Sequence, residues 1–545
     1  MSRLVATLVA AGLVLGALVS APAAVAAPAA NQPADGVGPL VWGPCTDPVL
    51  TQAHADCALL TVPLDYADPT GPTIQLALSR VEHTAPDAQY QGVMLVNPGG
   101  PGGSGLELST LGQFVPNRVG SDYDWIGFDP RGVGASKPAL SCDNNYFGAN
   151  RANYAPFTPD LQQTWLTRSQ GYAQACGKAN LPLLQHMSTI DSAKDMDSIR
   201  SALGVDQLNY YGFSYGTYLG QVYSTLYPQR VRRMVLDSNV DPRNVWYQAN
   251  LNQDVAFNNN INTWFSWVAK YDNVFHLGDN QLTVQRAFYT AENALSGKPA
   301  GGKVGPDEWT DLFEQAAYYR FGWVDMGNAL SAWINHQDPG GLINLYQQAD
   351  SPGDDNEFAV YLAVQCTDVQ WPTAWITWQR DNWQTYAKAP FETWGNAWYN
   401  APCIYWPAKA GTPVAVDGSQ VAGALLIDET LDAPTPYEGS LEVRQLYPNS
   451  RLVAEPGGTT HADSLFGDLC VDDQIADYLG TGKLPPRKAG NGPDTTCAPL
   501  PDPVPTATGP STSTNHTMST QSGRVTAQSE AQNALRERLA RVLRG

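Results

Sequence analysis

The chain has 545 residues, 43% hydrophobic and 15% charged, with 49 Gly, 41 Pro and 16 Trp, which is enough to bury more core than one ordinary domain holds and excludes disorder as its main character. Its 32 Lys and Arg stand against 52 Asp and Glu, a formal net charge of -20. That sign is wrong for a phosphate-binding surface, so nucleic acid is excluded as a partner.

The N-terminus carries Arg3, an apolar run from Leu4 to Leu18, and the small-residue site Ala24-Val25-Ala26. This order predicts a secretory signal peptide over residues 1–26, too short and too Ala- and Pro-flanked for a membrane anchor. No other stretch approaches bilayer length, so stable membrane insertion is not expected. Export permits disulfides, and the eight cysteines fall into four sequential pairs. The expected bridges are Cys45 with Cys57, Cys142 with Cys176, Cys366 with Cys403, and Cys470 with Cys497. With no CxxC and no His at ligand spacing from a Cys, a metal cluster is not expected, and no organic cofactor is implied.

Strand-like runs follow at Leu59–Val62, Thr73–Arg80, Gly92–Asn97, Trp125–Asp129, Gln207–Gly212, Val231–Asp237, Ala422–Ile427 and Arg451–Ala454. Several are continuously apolar, as in strands buried on both faces. Thr189 to Leu203 has apolar residues at helical spacing, with Thr189 or Asp191 as the expected cap and Gly204 as the stop. Strand and helix in alternation predict an α/β fold, a doubly wound and mostly parallel sheet. The rhythm stops between Asp237 and Ala422, where residues 242–407 hold thirteen of the 16 Trp. They are read as an inserted, mainly helical domain that splits the core into residues 27–241 and 408–498. Residues 499–545 read as a Pro-, Ser- and Thr-rich linker and a basic helix over Gln528–Leu543, which offers weak contact to anionic wall or membrane polymers.

Gly212-Phe213-Ser214-Tyr215-Gly216 lies between a strand and a helical stretch, the context in which a sharp turn presents a nucleophilic serine. A serine nucleophile needs a base and an acid later in the chain, at strand ends. Of seven histidines only His461 follows the strand at Arg451–Ala454 in a flexible loop. Asp432, in the proline-bounded turn Leu431-Asp432-Ala433-Pro434, is the preferred acid over its neighbour Asp428. The glycine-rich loop Asn97 to Gly105 suits an oxyanion hole, with the amides of Gly100 and Tyr215 as donors. Its prolines and the missing acidic partner make it a poor dinucleotide fingerprint.

Together Asn97 to Gly105, Asp129 to Ser136, Gly212 to Gly216, Leu431 to Pro436 and Gly458 to His461 resemble the secreted tripeptidyl aminopeptidases of the α/β-hydrolase fold, relatives of proline iminopeptidases. The similarity extends over Val41 to Cys497 and includes Ala363 to Asp368 and Cys403 to Pro407. It implies that Ser214, Asp432 and His461 form a triad, that the insertion is a lid, and that the substrates are peptide or protein N-termini. It departs from the iminopeptidases at Asn97-Pro98, where those carry His. A free α-ammonium group asks for carboxylates in the lid, and Asp368, Glu357 and Asp325 are the candidates. A small-ester esterase or lipase, a proline iminopeptidase, and an inactive wall-associated binding protein remain the alternatives.

Overall fold

A computed structural model describes residues 37–505 apart from 351. The expected signal peptide and the expected basic tail helix lie outside the described residues. One sheet of ten strands forms the centre, in the order β1-β2-β3-β5-β4-β6-β7-β8-β9-β10. These are β1 Gly43–Pro44, β2 Asp56–Pro63, β3 Thr73–Val81, β4 Val93–Asn97, β5 Asp124–Asp129, β6 Leu208–Phe213, β7 Val231–Asp237, β8 Ala424–Glu429, β9 Ser450–Glu455 and β10 Thr495–Thr496. The strands from β5 across to β10 run parallel, and β1, β2 and β3 join antiparallel at one edge. The two edge strands β1 and β10, two residues each, are too short to show in a sequence pattern.

Every residue of β4, β6 and β8 is buried, and strand alternation divides them between two cores. Leu95, Tyr210, Leu236 and Leu426 face one side with the helices Thr189–Ala202 and Tyr215–Leu226. Met94, Val96, Tyr211, Phe213, Val235 and Ile427 face the other, under the helix Leu469–Thr481. The helix Thr189–Ala202 is capped by Ser188, whose hydroxyl accepts from Asp191 N at 3.3 Å. This corrects the expected caps: Thr189 gives its own N–H and hydroxyl to Asp368, both at 2.6 Å.

Between β7 and β8 the chain forms eight helices of eight or more residues, from Tyr247–Lys270 to Thr393–Asn400. Trp264, Trp309 and Trp323 pack inside this insertion. Trp371 and Trp378 join the core beneath the sheet. Trp398 stacks on Trp165, which lies between β5 and β6, and on Trp394. Arg151, from the same early segment, reaches into the insertion and binds Asp350 at 2.8 Å and Asp311. The insertion therefore shares its packing with residues 146–166, which the sequence pattern assigns to the sheet domain. Four disulfides close the chain locally: Cys45–Cys57, Cys142–Cys176, Cys366–Cys403 and Cys470–Cys497. No described helix is long and apolar enough to cross a membrane.

Candidate active site

β6 ends at Phe213 and a helix starts at Tyr215, which forces Ser214 into φ 53°, ψ -128°. The turn is that tight because both flanking glycines touch backbone. A Cβ on Gly212 would sit 2.6 Å from Gly216 O, and one on Gly216 would sit 2.6 Å from Asn97 O. Ser214 N donates to Asp237 O at 3.0 Å and Ser214 O accepts from Thr217 N at 2.8 Å. The residue is left 8% exposed on the wall of a large cavity.

His461 and Asp432 are both fully packed at the ends of β9 and β8. His461 Nδ1 lies 2.8 Å and 3.0 Å from the two Asp432 oxygens. The same carboxylate accepts Thr435 N and the Thr435 hydroxyl, each at 3.0 Å. An ionised Asp432 can only accept, so Nδ1 carries the proton and Nε2 keeps its lone pair. Nε2 is buried with no partner among the described residues. Asp428 points elsewhere, taking the Ser440 hydroxyl at 2.5 Å. The residues at the end of β7, beside β6, hold the His461 loop: Ser238 Oγ accepts Ala462 N at 2.8 Å, and Asp237 accepts Ser464 N at 3.0 Å. Burial and the neighbouring Asp463 carboxylate push Asp237 up to about 8. From the insertion, Tyr318 O accepts His461 N at 2.9 Å.

The glycine loop after β4 lies against the elbow. Gly99 has φ 104°, and a Cβ there would sit 2.7 Å from Phe213 O and 2.8 Å from Tyr215 N. The amides of Gly100 and Tyr215 donate to no acceptor among the described residues, and both residues line the cavity. Asp129, at the end of β5, clamps the loop by accepting Ser104 Oγ at 2.6 Å and Gly105 N at 3.1 Å. Burial pushes its carboxyl up to about 6.

A serine on a strained strand-to-helix turn, a His–Asp pair and a glycine loop thus lie at the carboxyl ends of β6, β9, β8 and β4. Residues 92–462 match the family model described as alpha/beta hydrolase fold. The tripeptidyl aminopeptidase of Streptomyces lividans is 40% identical over 476 residues, covering 85% of this chain and 87% of the relative. The chain belongs to this family of α/β-hydrolase serine peptidases. Serine protease Hip1 of Mycobacterium tuberculosis is 31% identical over 83% of this chain and 90% of its own. Carboxylesterase B of the same species is 30% identical over 82% and 88%. As a member of the family the chain is a serine hydrolase of the aminopeptidase kind.

The cavity in front of Ser214 measures about 1320 Å³, above the roughly 300–1,000 Å³ of small-ligand pockets. Its wall is acidic. Nine carboxylates line it, Asp241, Asp311, Glu314, Asp325, Asp350, Asp354, Glu357, Glu392 and Glu438, against the single cation Arg243. Arg151 compensates Asp311 and Asp350, and Arg243 compensates Asp241. Of the three residues selected by sequence, Glu357 and Asp325 are on the wall, Asp325 exposed. Asp368 is not on it. It is buried behind the site, with Thr189 on both oxygens and Trp246 Nε1 at 3.1 Å, which leaves it little capacity for a substrate.

Glu314 and Glu392 were not selected by sequence. Glu314 receives no hydrogen bond or ion pair from the described residues, and burial and the nearby Asp350 push it up to about 8. Glu392 has Oε2 buried without a partner and is pushed well above the usual range by burial and Glu314. The one sequence signal for Glu314 is its place on an acidic face of the helix Pro306–Tyr318, with Asp307 and Asp311 at helical spacing, a pattern that ordinarily marks a solvated surface.

Proposed function

We propose that the chain is a secreted serine exopeptidase that releases short peptides, chiefly tripeptides, from free N-termini through an acyl-enzyme. The observation that carries this reading is the acidic cavity in front of Ser214, in which Glu314 has no partner of its own. A half-buried carboxylate set among other acids, with no counter-charge from the described residues, is costly and is relieved by a cation. The cation that a peptide brings is its α-ammonium group. An extended residue spans roughly 3.3–3.6 Å, so an anchor about 10 Å from the nucleophile would count three residues.

In this mechanism His461 Nε2 takes the proton of Ser214 Oγ as the oxygen attacks the carbonyl carbon. Asp432 holds the imidazole in the required tautomer and balances the imidazolium. The amides of Gly100 and Tyr215, free to donate, stabilise the oxyanion. His461 then protonates the leaving amine, and water attacks the acyl-enzyme by the reverse route. Four disulfides support an oxidising destination, and the basic tail supports a weak, salt-sensitive hold on the wall.

The deciding experiment compares tripeptidyl, prolyl and acetyl-ester chromogenic substrates with an N-acetylated tripeptide. Cleavage of the free-amine tripeptide, lost on acetylation, is expected. Turnover of esters alone would replace this reading by the esterase that one relative's name suggests. Mass spectrometry of a digested peptide then gives the number of residues removed, with three expected. Mature protein from culture medium is expected to begin at Ala27, and a fluorophosphonate probe that failed to label Ser214 would favour an inactive binding protein.

A further inference from the structure

Glu429 ends β8 and Glu455 ends β9, and the two are register partners on neighbouring parallel strands. Their side chains therefore leave the sheet on one face. Asp463, two residues beyond His461, comes down onto them. One oxygen from each of the three carboxylates lies within 4.8 Å of the other two. All are buried, Glu455 completely. Glu429 accepts the Thr460 N–H. Neither oxygen of Glu455 nor Oδ2 of Asp463 accepts an N–H or a hydroxyl from the described residues; the groups facing Glu455 are themselves carboxyls, Asp463 and Asp468. Arg320, the guanidinium that acts on Glu429, gives its N–H groups to Thr459 Oγ1, Leu500 O and Gly457 O and pairs with Asp502. Three converging carboxylates, one of them fully buried and accepting no N–H or hydroxyl, have among the described residues no cation bonded to them, since the N–H groups of nearby Arg320 are engaged elsewhere.

We propose that Glu429, Glu455 and Asp463 bind a calcium ion. The set is all oxygen and all carboxylate, the chemistry of a hard cation and not of zinc or copper. Calcium–oxygen bonds of about 2.3–2.6 Å can bridge oxygens that all lie within 4.8 Å of one another, and calcium takes carboxylates at irregular angles, whereas magnesium demands a near-ideal octahedron and usually keeps several waters. The ion would join the two loops on which the site depends. Glu429 O accepts Asp432 N at 3.1 Å, and Thr460 and Asp463 flank His461, so calcium would fix the acid and the base relative to each other. The sequence expectation of no metal rested on cysteine and histidine spacing and did not consider carboxylates 26 and 8 positions apart that meet only in the fold.

The test uses the full mature chain, stripped with EDTA, and measures bound calcium by equilibrium dialysis with elemental analysis, together with Tm against calcium concentration. One calcium per chain and a rising Tm are expected. Both are expected to disappear in Glu455→Gln and in Asp463→Asn, which in EDTA should melt no lower than the parent because each removes an unbalanced charge. Absence of stoichiometric uptake, uptake of magnesium only, or calcium uptake unchanged in both variants would overturn the assignment. Carboxyl groups that merely share protons would give the first of these results.

Discussion

Glu314→Gln tests the reading of the cavity most directly, because it removes a charge and keeps the shape. In the free enzyme burial and Asp350 push Glu314 up to about 8, so below that pH it is mostly neutral. Pairing with an ammonium requires the carboxylate, and supplying it at pH 7 costs about 1.4 kcal/mol, a factor of about ten. kcat/KM for a free-amine tripeptide should therefore rise with pH up to about 8. Above it, loss of the substrate's own proton, with a pKa of about 7.7–8.0, turns the profile down. Removing one partner of a desolvated charge pair costs about 2–5 kcal/mol, which lowers kcat/KM about 30-fold to several thousand-fold. The variant should also lose the rise toward pH 8. A neutral acyl ester is the control, because it makes no use of the carboxylate and should change little. Activity on the free-amine tripeptide within threefold of the parent, or an equal loss on the ester, would refute the assignment of Glu314 as the ammonium anchor.

Three further substitutions probe the rest of the site and its surroundings. Asp432→Asn should lower kcat by about 10⁴-fold by favouring the wrong imidazole tautomer, with Tm little changed; full activity would return the acid's role to Asp428. Gly99→Ala places a Cβ against backbone at 2.7 Å and 2.8 Å, so it should displace the elbow and reduce kcat at least about tenfold, read by steady-state kinetics. Asp254 is pushed up to about 8 by burial while Asn396 Nδ2 holds its Oδ1 at 2.9 Å. A carboxyl whose folded pKa is raised loses stability as pH climbs from its unfolded pKa of about 3.9 toward the folded value. Asp254→Asn should accordingly melt higher than the parent by a margin that grows between pH 5 and 8, about a few degrees at pH 8, and vanishes below pH 4. A pH-independent difference would contradict this.

The sheet was legible because its strands are short, mostly apolar runs, and a run such as Gly92–Asn97, too short for a helix and followed by a glycine turn, suits a doubly buried strand. The Ser214 turn was legible because two glycines at fixed spacing are a steric requirement that leaves a sequence signature. The carboxylates of the insertion were not. Asp368 attracted notice beside Cys366, but proximity to a bridge in sequence fixes neither direction nor neighbours, and its oxygens are taken by Thr189 and Trp246. Glu314 lies on a helix face whose acidic pattern is that of a solvated surface. What distinguishes it is the enclosing wall, to which the helices Tyr247–Lys270 and Asn356–Asp368 also contribute. Segment 146–166 escaped assignment to the insertion for the same reason, since the pairing of Arg151 with Asp311 and Asp350 spans 160 or more positions.

The contacts between insertion and sheet also bear on how a peptide could be measured. Tyr318 O holds His461 N, Asn260 Nδ2 donates to Leu431 O at 2.7 Å, and Gln253 Nε2 donates to Pro434 O at 2.6 Å. Gly102 lies so close to Glu357 that a Cβ would stand 2.5 Å from its carbonyl oxygen. The insertion is thus hydrogen-bonded to the loops that carry His461 and Asp432 and packed against the glycine loop. Glu314 sits four residues before Tyr318 on one helix, so the His461 loop and the acidic wall are parts of one framework. A fixed distance between an ammonium anchor and a nucleophile requires such a framework: an independently hinged lid would let that distance vary and release products of mixed length. Weakening the framework without touching either end, as in Asn260→Ala, should broaden the distribution of released peptides while Ser214 still reacts with a fluorophosphonate. An unchanged single product length would mean that the residue count is set elsewhere.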